Sequence, residues 1–231
     1  MAYNLNNKLV IAISSRALFD LEEENQIFEK DGLDAYYKYQ LENEDKSLKK
    51  GTGYRLVENI LKINSFFSSD ERQVEVIILS KNNAATSLRI TNAINDLKLD
   101  IIRSAWTSGT NISNYLKAFK VDLFLSADDN DVLNAIENGV AAAKILHSNE
   151  NIHNISNEQV RIAFDGDAVL FSEESELVYK NHGLEAFIEH EKENRNNPLE
   201  MGPFAKLLLT IAKIQAKFPT DKSPIRTALV T

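Results

Sequence analysis

Cysteine is absent from the 231 residues of this chain. Its absence excludes disulfide frameworks, thiolate metal sites and cysteine nucleophiles, and it fits a reducing compartment, so we expect a cytoplasmic protein. Positive charge is also scarce, because 26 Lys and Arg residues stand against 34 Asp and Glu residues, giving a net charge of −8. A protein that neutralises a phosphate backbone needs the opposite balance, so we expect no polymeric nucleic acid as a partner.

Long apolar runs are missing as well. No stretch approaches the length of about 18 apolar residues that a membrane span requires. The N-terminal sequence MAYNLNNKLVIAI lacks the basic flank and the cleavage site of a signal peptide. We therefore expect neither a membrane span nor an anchor. Hydrophobic residues nevertheless make up 43% of the chain, which is enough for a sizeable core.

The chain contains an internal repeat at an offset of 151 residues. The segment LVIAISSRALFDLEEENQIF, from Leu9, aligns without a gap with VRIAFDGDAVLFSEESELVY, from Val160. Between residues 9–67 and 160–218, 17 of 59 aligned positions are identical, whereas chance gives about three or four. We interpret the chain as two copies of one unit, a degenerate copy at residues 1–150 and the start of a catalytic copy at 151–231. The second copy has no counterpart of residues 81–150, so we predict that it is truncated at its C-terminus.

Short apolar runs alternate with helical stretches along both copies. The runs LVIAIS, VEVIILS, DLFLS, VRIAF and TALVT predict strands that are buried on both faces of a parallel sheet. The stretches EEENQIFEKDGLDAYYKYQLENE and PFAKLLLTIAKIQAKF predict helices between them. This alternation indicates an α/β protein with a doubly wound, Rossmannoid parallel sheet. We interpret Glu22, Glu23 and Glu24 as a solvated first turn of a helix.

Two carboxylates follow the strand VRIAF in the second copy. Asp165 and Asp167 flank Gly166, at the carboxyl end of a parallel strand, where open α/β sheets bind ligands. Because the two charges repel each other, and oxygen ligands favour a hard cation, we expect both to bind Mg²⁺. One carboxylate can then attack phosphorus while the other transfers a proton. The alternative interpretation is an ordinary acidic turn, since Asp and Gly are frequent in turns.

Further polar residues at strand ends are candidate ligand contacts. Thr231 ends the last strand and offers a hydroxyl to a phosphoryl oxygen, so we expect Thr231 and Gly166 to contact phosphate. Polar loops after the strands of the first copy are weaker candidates, because such loops more often have no ligand. Four residues of these loops are candidates for substrate binding: Asn82, Asn83, Thr110 and Asn111.

The first copy lacks the carboxylate pair. Ser14 and Arg16 occupy the positions of Asp165 and Asp167 in the repeat. A serine at the nucleophile's position cannot form an acyl phosphate, so we predict that this copy is not catalytic. We expect Arg16 to pair with the glutamates that follow it in sequence, in preference to a phosphate.

The segments FDGDAVLFSEESE, NHGLEAFIEHEKENRNNPLEMGPF and PIRTALVT resemble the cytosolic 5'-nucleotidase type I family, within the haloacid-dehalogenase-like superfamily. VIAISSRALFDLEEENQIF, SLRITNAIN and YLKAFKVDLFLSADD in the first copy are similar to the same family. The resemblance extends from Leu9 to Thr231. It implies a Mg²⁺-dependent hydrolase that converts nucleoside 5'-monophosphates, AMP among them, to nucleoside and phosphate.

The resemblance also implies a role for individual residues. Asp165 would be the nucleophile that forms an aspartyl-phosphate, Asp167 the acid and base, and Thr231 the residue that holds the phosphate. The lysine and the acidic pair of the remaining superfamily motifs would lie beyond Thr231, so the chain as given is expected to lack part of the catalytic machinery.

Two other functions remain open alternatives. One is a non-catalytic nucleotide-binding or scaffold fragment, and the other is a phosphatase that uses the same aspartates on small phosphate esters. The strand TALVT would leave an uncovered apolar edge in a truncated copy, and such an edge promotes association into a homo-oligomer.

Overall fold

The computed structural model describes residues 4–147, 159–165, 174–194 and 204–230. The chain divides into two compact units, unit 1 at Met1–Val160 and unit 2 at Arg161–Thr231. The boundary predicted between residues 150 and 151 lies outside the described residues, so that position stays a prediction.

Unit 1 is built around a five-stranded parallel sheet with the strand order β5-β4-β1-β6-β7. Strands β2 and β3 form a separate antiparallel pair. In chain order the elements are β1 (Leu9–Ile13), α1 (Ser15–Leu18), β2 (Phe19–Asp20), α2 (Glu22–Glu42), β3 (Lys49–Lys50), α3 (Tyr54–Lys62), β4 (Val74–Ser80), α4 (Leu88–Asp96), β5 (Arg103–Trp106), α5 (Ser113–Ala118), β6 (Leu123–Ser126), α6 (Asp129–Glu137) and β7 (Ala142–Lys144).

The centre of the sheet explains why the apolar runs become strands. Every residue of β1, β4 and β6 is buried. Most of these residues are apolar, as expected for strands with sheet neighbours on both sides. Ile11 pairs with Val76 of β4 on one side and with Leu123 of β6 on the other. The predicted α/β fold with a parallel sheet is therefore confirmed for this unit.

One acidic side chain is fully buried within the sheet. Glu75 of β4 has no exposed side-chain surface, and its carboxylate forms ion pairs with Arg72 at 3.1 Å and with Arg103 at 2.5 Å. A buried charge is tolerated when such partners compensate it. Glu75 and Arg103 lie at the amino ends of β4 and β5, and Arg72 lies just before β4. All three are far along the sheet from the edge at which ligands bind in such folds.

The strands and helices in the described part of unit 2 are β8 (Val160–Asp165), α7 (Glu174–Asn194), α8 (Ala205–Gln215) and β9 (Ile225–Val230), with a 3-10 helix at Thr220–Lys222. Strands β8 and β9 are neighbours in a two-stranded sheet. The runs VRIAF and TALVT are thus strands, as predicted, and the stretch PFAKLLLTIAKIQAKF contains a helix.

The elements of the two units recur at a constant spacing. The first residues of β8 and β9, Val160 and Ile225, lie 151 residues after those of β1 and β4, Leu9 and Val74. The 3-10 helices Ser69–Glu71 and Thr220–Lys222 are separated by the same interval. The repeat in the sequence therefore has a counterpart in the order and spacing of the elements.

Helices α2 and α7 are each interrupted by a glycine. Gly32 has φ 84° and ψ −175°, and Gly183 has φ 81° and ψ −175°. This region of backbone space is essentially restricted to glycine, because a Cβ atom would clash with the backbone.

No helix in the described part of the chain is long and apolar enough to cross a membrane.

Candidate functional site

The predicted nucleophile lies at the end of β8. Asp165 is the last residue of that strand and is exposed, whereas Phe164 before it is buried. The Phe164 ring contacts Phe204 edge to face, with 6.4 Å between the ring centroids, and Phe204 is the N-cap residue of α8. Asp165 is therefore an exposed residue at a strand end that aromatic packing holds in place.

The other predicted catalytic and phosphate-binding residues, Gly166, Asp167 and Thr231, lie outside the described residues. Their distances from Asp165 stay predictions. Among the residues that the structure describes, no three His, Asp or Glu side chains are grouped closely enough to hold a metal ion. The described residues therefore contain no such group for the predicted Mg²⁺ site. Its assignment to Asp165 and Asp167 stays a prediction.

The carboxyl edge of the unit 1 sheet lies within the described part of the chain and is lined by hydroxyls. Ser15 Oγ and Ser80 Oγ are 3.0 Å apart, and both residues are buried where the neighbouring strands β1 and β4 end. Ser14, at the position equivalent to Asp165, accepts the backbone N–H of Ala17 on its side-chain oxygen at 3.3 Å. Ser126 is buried at the end of β6. Serine hydroxyls thus line this edge where β1, β4 and β6 end.

Arg16 occupies the position equivalent to Asp167. One of its terminal nitrogens forms an ion pair with Glu22 at 3.2 Å, with 32% and 42% of the two side chains exposed. The predicted pairing of Arg16 with the glutamates that follow it is therefore confirmed. Its Nε atom is buried and has no hydrogen-bond partner.

A second ion pair bridges two loops at this edge. Lys81 follows β4 and Asp131 lies in the first turn of α6, and their Nζ and Oδ1 atoms are 2.6 Å apart. Because β1 lies between β4 and β6 in the sheet, the pair spans the carboxyl end of β1. The lysine side chain is 44% exposed and the aspartate side chain 11%.

Asn82 is held in place by a chain of partly buried side chains. The Tyr36 hydroxyl donates to Asn82 Oδ1 at 3.0 Å and accepts from Gln40 Nε2 at 3.0 Å. Burial raises the pKa of Tyr36, because the phenolate would lose its hydration. The amide nitrogen of Asn82 is buried and has no hydrogen-bond partner. Asn82 was a candidate for substrate binding, and its unused donor keeps it one.

The other three loop candidates make hydrogen bonds within their own loops. Asn83 Oδ1 accepts the backbone N–H of Thr86 at 2.9 Å, and Asn111 Oδ1 accepts that of Ser113 at 2.8 Å. Thr110 Oγ1 donates to the carbonyl of Thr107 at 2.7 Å. These contacts give Asn83, Thr110 and Asn111 a role in turn structure. A role in substrate binding stays a prediction for all four loop residues.

A buried ion pair contradicts our expectation for Glu24. This residue is only 4% exposed, and its carboxylate lies 2.5 Å from Arg89 Nη1 of α4. Arg89 also donates to Gln40 Oε1 at 3.4 Å and to the carbonyl of Lys46 at 3.0 Å. The prediction of a solvated turn is wrong for Glu24 because a distant arginine compensates its charge. Neither the glutamate run nor the segment around Arg89 signals this contact in the sequence.

The chain is similar to known proteins of one family. The sequence model of a family described as 5'-nucleotidase matches residues 1–231. A human protein, cytosolic 5'-nucleotidase 1B, is 35% identical over 233 residues. That alignment covers 97% of this chain and 38% of the human protein, so the chain spans well under half the length of this relative.

Proposed function

Because the chain belongs to the 5'-nucleotidase family, we propose that it supplies the nucleophile of a phosphatase that hydrolyses nucleoside 5'-monophosphates such as AMP. The observation that supports this proposal is the exposed Asp165 at the end of β8, followed in sequence by Gly166 and Asp167. The human relative is named as a cytosolic 5'-nucleotidase, and we propose the cytosol for this protein as well.

The proposed reaction has two steps. The Asp165 carboxylate attacks phosphorus, the bond from phosphorus to the nucleoside oxygen breaks, and Asp167 donates a proton to that oxygen. Asp167 then takes a proton from a water molecule, which attacks the aspartyl-phosphate and releases phosphate while the Asp165 carboxylate is regenerated. Thr231 and the backbone of Gly166 would contact the phosphoryl oxygens.

The donor set fits a divalent cation of the Mg²⁺ type, because two carboxylates without His or Cys are hard oxygen ligands. When bound by Asp165 and Asp167, the ion would neutralise charge on the phosphoryl group.

We also infer that the two units descend from one by duplication, and that both belong to the haloacid-dehalogenase type. The constant interval of 151 residues between corresponding elements and the shared backbone conformation of Gly32 and Gly183 support this inference. Unit 1 would then be a copy in which serine and arginine replaced the catalytic aspartates.

Self-association is a further part of the proposal. β9 is exposed beyond its first residue, and its apolar side chains Leu229 and Val230 are 54% and 57% exposed. An exposed apolar strand favours pairing with another copy. Sedimentation of the chain and of a Leu229→Asp variant over a range of concentrations tests this, since the variant should remain monomeric where the parent associates.

Release of phosphate from AMP, with Mg²⁺ and with EDTA, tests the proposed activity. We expect release only with Mg²⁺, from a protein extended past Thr231 through the motifs that the resemblance places there, and little from the 231-residue chain. Glycerol phosphate and phosphoglycolate serve as competing substrates. Faster hydrolysis of these esters than of AMP would support the small-ester phosphatase instead, and no hydrolysis by the extended protein would support the non-catalytic alternative.

A further inference from the structure

Buried polar atoms without a partner cluster at the carboxyl edge of unit 1. Arg16 Nε, Asn82 Nδ2 and Ser113 Oγ are buried and make no hydrogen bond. Arg16 follows β1, Asn82 follows β4, and Ser113 begins α5 after β5, so all three lie in loops or helices at the same edge of the sheet. Burying a donor without an acceptor is unfavourable, and such a group therefore indicates a missing acceptor.

The residues at the two positions of the catalytic aspartates differ in charge between the units. The repeat places Ser14 at the position of Asp165 and Arg16 at that of Asp167. Two carboxylates repel a phosphate unless a bound cation neutralises their charge. A guanidinium in their place binds phosphate directly, because its fork of N–H groups matches the phosphate oxygens.

The ion pair of Arg16 is one in which a ligand can replace the glutamate. Arg16 pairs with Glu22, and both side chains are about one third exposed or more. Ion pairs of this exposure contribute little to stability. A phosphate can therefore replace Glu22 as the partner of Arg16, and Glu22 can turn to solvent. Lys81, 44% exposed, lies at the end of the neighbouring strand β4 as a second cation.

Hydroxyl and amide donors complete the set. Only one proton is used in the contact between Ser15 Oγ and Ser80 Oγ, so one of the two hydroxyls can still donate to a ligand. The Tyr36 hydroxyl donates a hydrogen bond to the side-chain oxygen of Asn82, so the amide nitrogen of Asn82 remains available as a donor. These donors come from the ends of two neighbouring strands, β1 and β4.

We propose that the carboxyl edge of unit 1 is a second phosphate site, which binds the phosphoryl group of a phosphate monoester without a metal ion and does not hydrolyse it. Arg16, Asn82 and the pair Ser15 and Ser80 are its ligands. Ser14 makes no attack on phosphorus. The choice of AMP as a ligand rests on the proposed function, whereas inorganic phosphate tests the site independently of that function.

Calorimetric titration of the chain with inorganic phosphate and with AMP, both in EDTA, tests the site. We expect saturable binding of one phosphate per chain. Arg16→Gln should weaken it about tenfold or more, because a charge-assisted, forked contact is lost. Arg103→Gln is the control, since it removes a paired arginine at the amino end of β5, away from this edge, while Glu75 keeps Arg72 as a partner. Circular dichroism shows that this variant is folded before titration, and its affinity for phosphate should be unchanged.

Two further variants separate this site from structural effects and from unit 2. Glu22→Gln should tighten phosphate binding, because it releases Arg16 from its ion pair. If that ion pair were purely structural, the variant would be less stable and its affinity for phosphate would not increase. Asp165→Asn should leave binding in EDTA unchanged. The proposal is overturned if the parent chain shows no saturable binding, if Arg16→Gln and Arg103→Gln bind alike, or if Asp165→Asn abolishes binding. The last outcome would place the phosphate in unit 2 and leave the proposed function standing.

Discussion

Gly32 and Gly183, 151 residues apart, adopt the same backbone conformation, with φ of 84° and 81° and ψ of −175° in both. Each interrupts a helix of 21 residues that follows the first strand of its unit. A break at the same point with the same dihedral angles indicates that both units need the chain to change direction there.

Replacing Gly32 tests whether this break is required. Apart from its chain neighbours and the adjacent helix backbone, no atom lies within 4 Å of the position a Cβ would take, so Gly32→Ala causes no steric clash with distant residues. The cost is backbone strain alone, and we expect the free energy of unfolding to fall by about 1–3 kcal/mol. Urea unfolding followed by circular dichroism measures it. Gly183→Ala should behave alike in unit 2, and unchanged stability in both would show that the break is not required.

Removing one partner of the buried ion pair between Glu24 and Arg89 should strongly lower the free energy of unfolding. Arg89→Met leaves the Glu24 carboxylate buried without its cation, and we expect a loss of about 3–5 kcal/mol in unfolding free energy. The double variant Glu24→Gln and Arg89→Met should lose less than the sum of the two single changes. Additive losses in urea unfolding would mean that the two side chains are not coupled.

Stability should decrease in alkaline solution because of Tyr36. Burial raises its pKa above the usual value of 10.0. The unfolded chain therefore loses this proton at lower pH than the folded protein. The stability associated with this raised pKa is fully present below pH 10.0, and it is lost as the pH rises through the pKa of Tyr36 in the folded state. Urea unfolding across this pH range should show that the unfolding free energy of Tyr36→Phe decreases less steeply with pH than that of the parent. An identical pH dependence for the two proteins would contradict the burial argument.

Local sequence patterns predicted part of this architecture. The runs at β1, β4 and β6 were predictable because central parallel strands are mostly apolar. β5 and β7 were not, since RSAW is half-exposed and AAK has only three residues. Short edge strands of this kind have no hydrophobic pattern of their own and depend on a neighbour.

The candidate site was predictable to a similar extent. The repeat assigned the residues equivalent to the catalytic aspartates, and the pairing of Arg16 with Glu22 followed from their proximity in sequence. The contact of Lys81 with Asp131 joins residues from different loops. Such contacts depend on the order of strands in the sheet, which local composition does not specify.

The central claim is that Asp165 is the nucleophile, and phosphate release from AMP by Asp165→Asn tests it most directly. In the extended, active protein with Mg²⁺, we predict that the rate falls at least about a thousandfold while the unfolding transition is nearly unchanged, because the substitution removes the attacking oxygen and keeps the shape. Asp221→Asn, which changes another exposed aspartate of unit 2, should retain the parent rate. Turnover by Asp165→Asn at the rate of this control would contradict the account and require a different nucleophile.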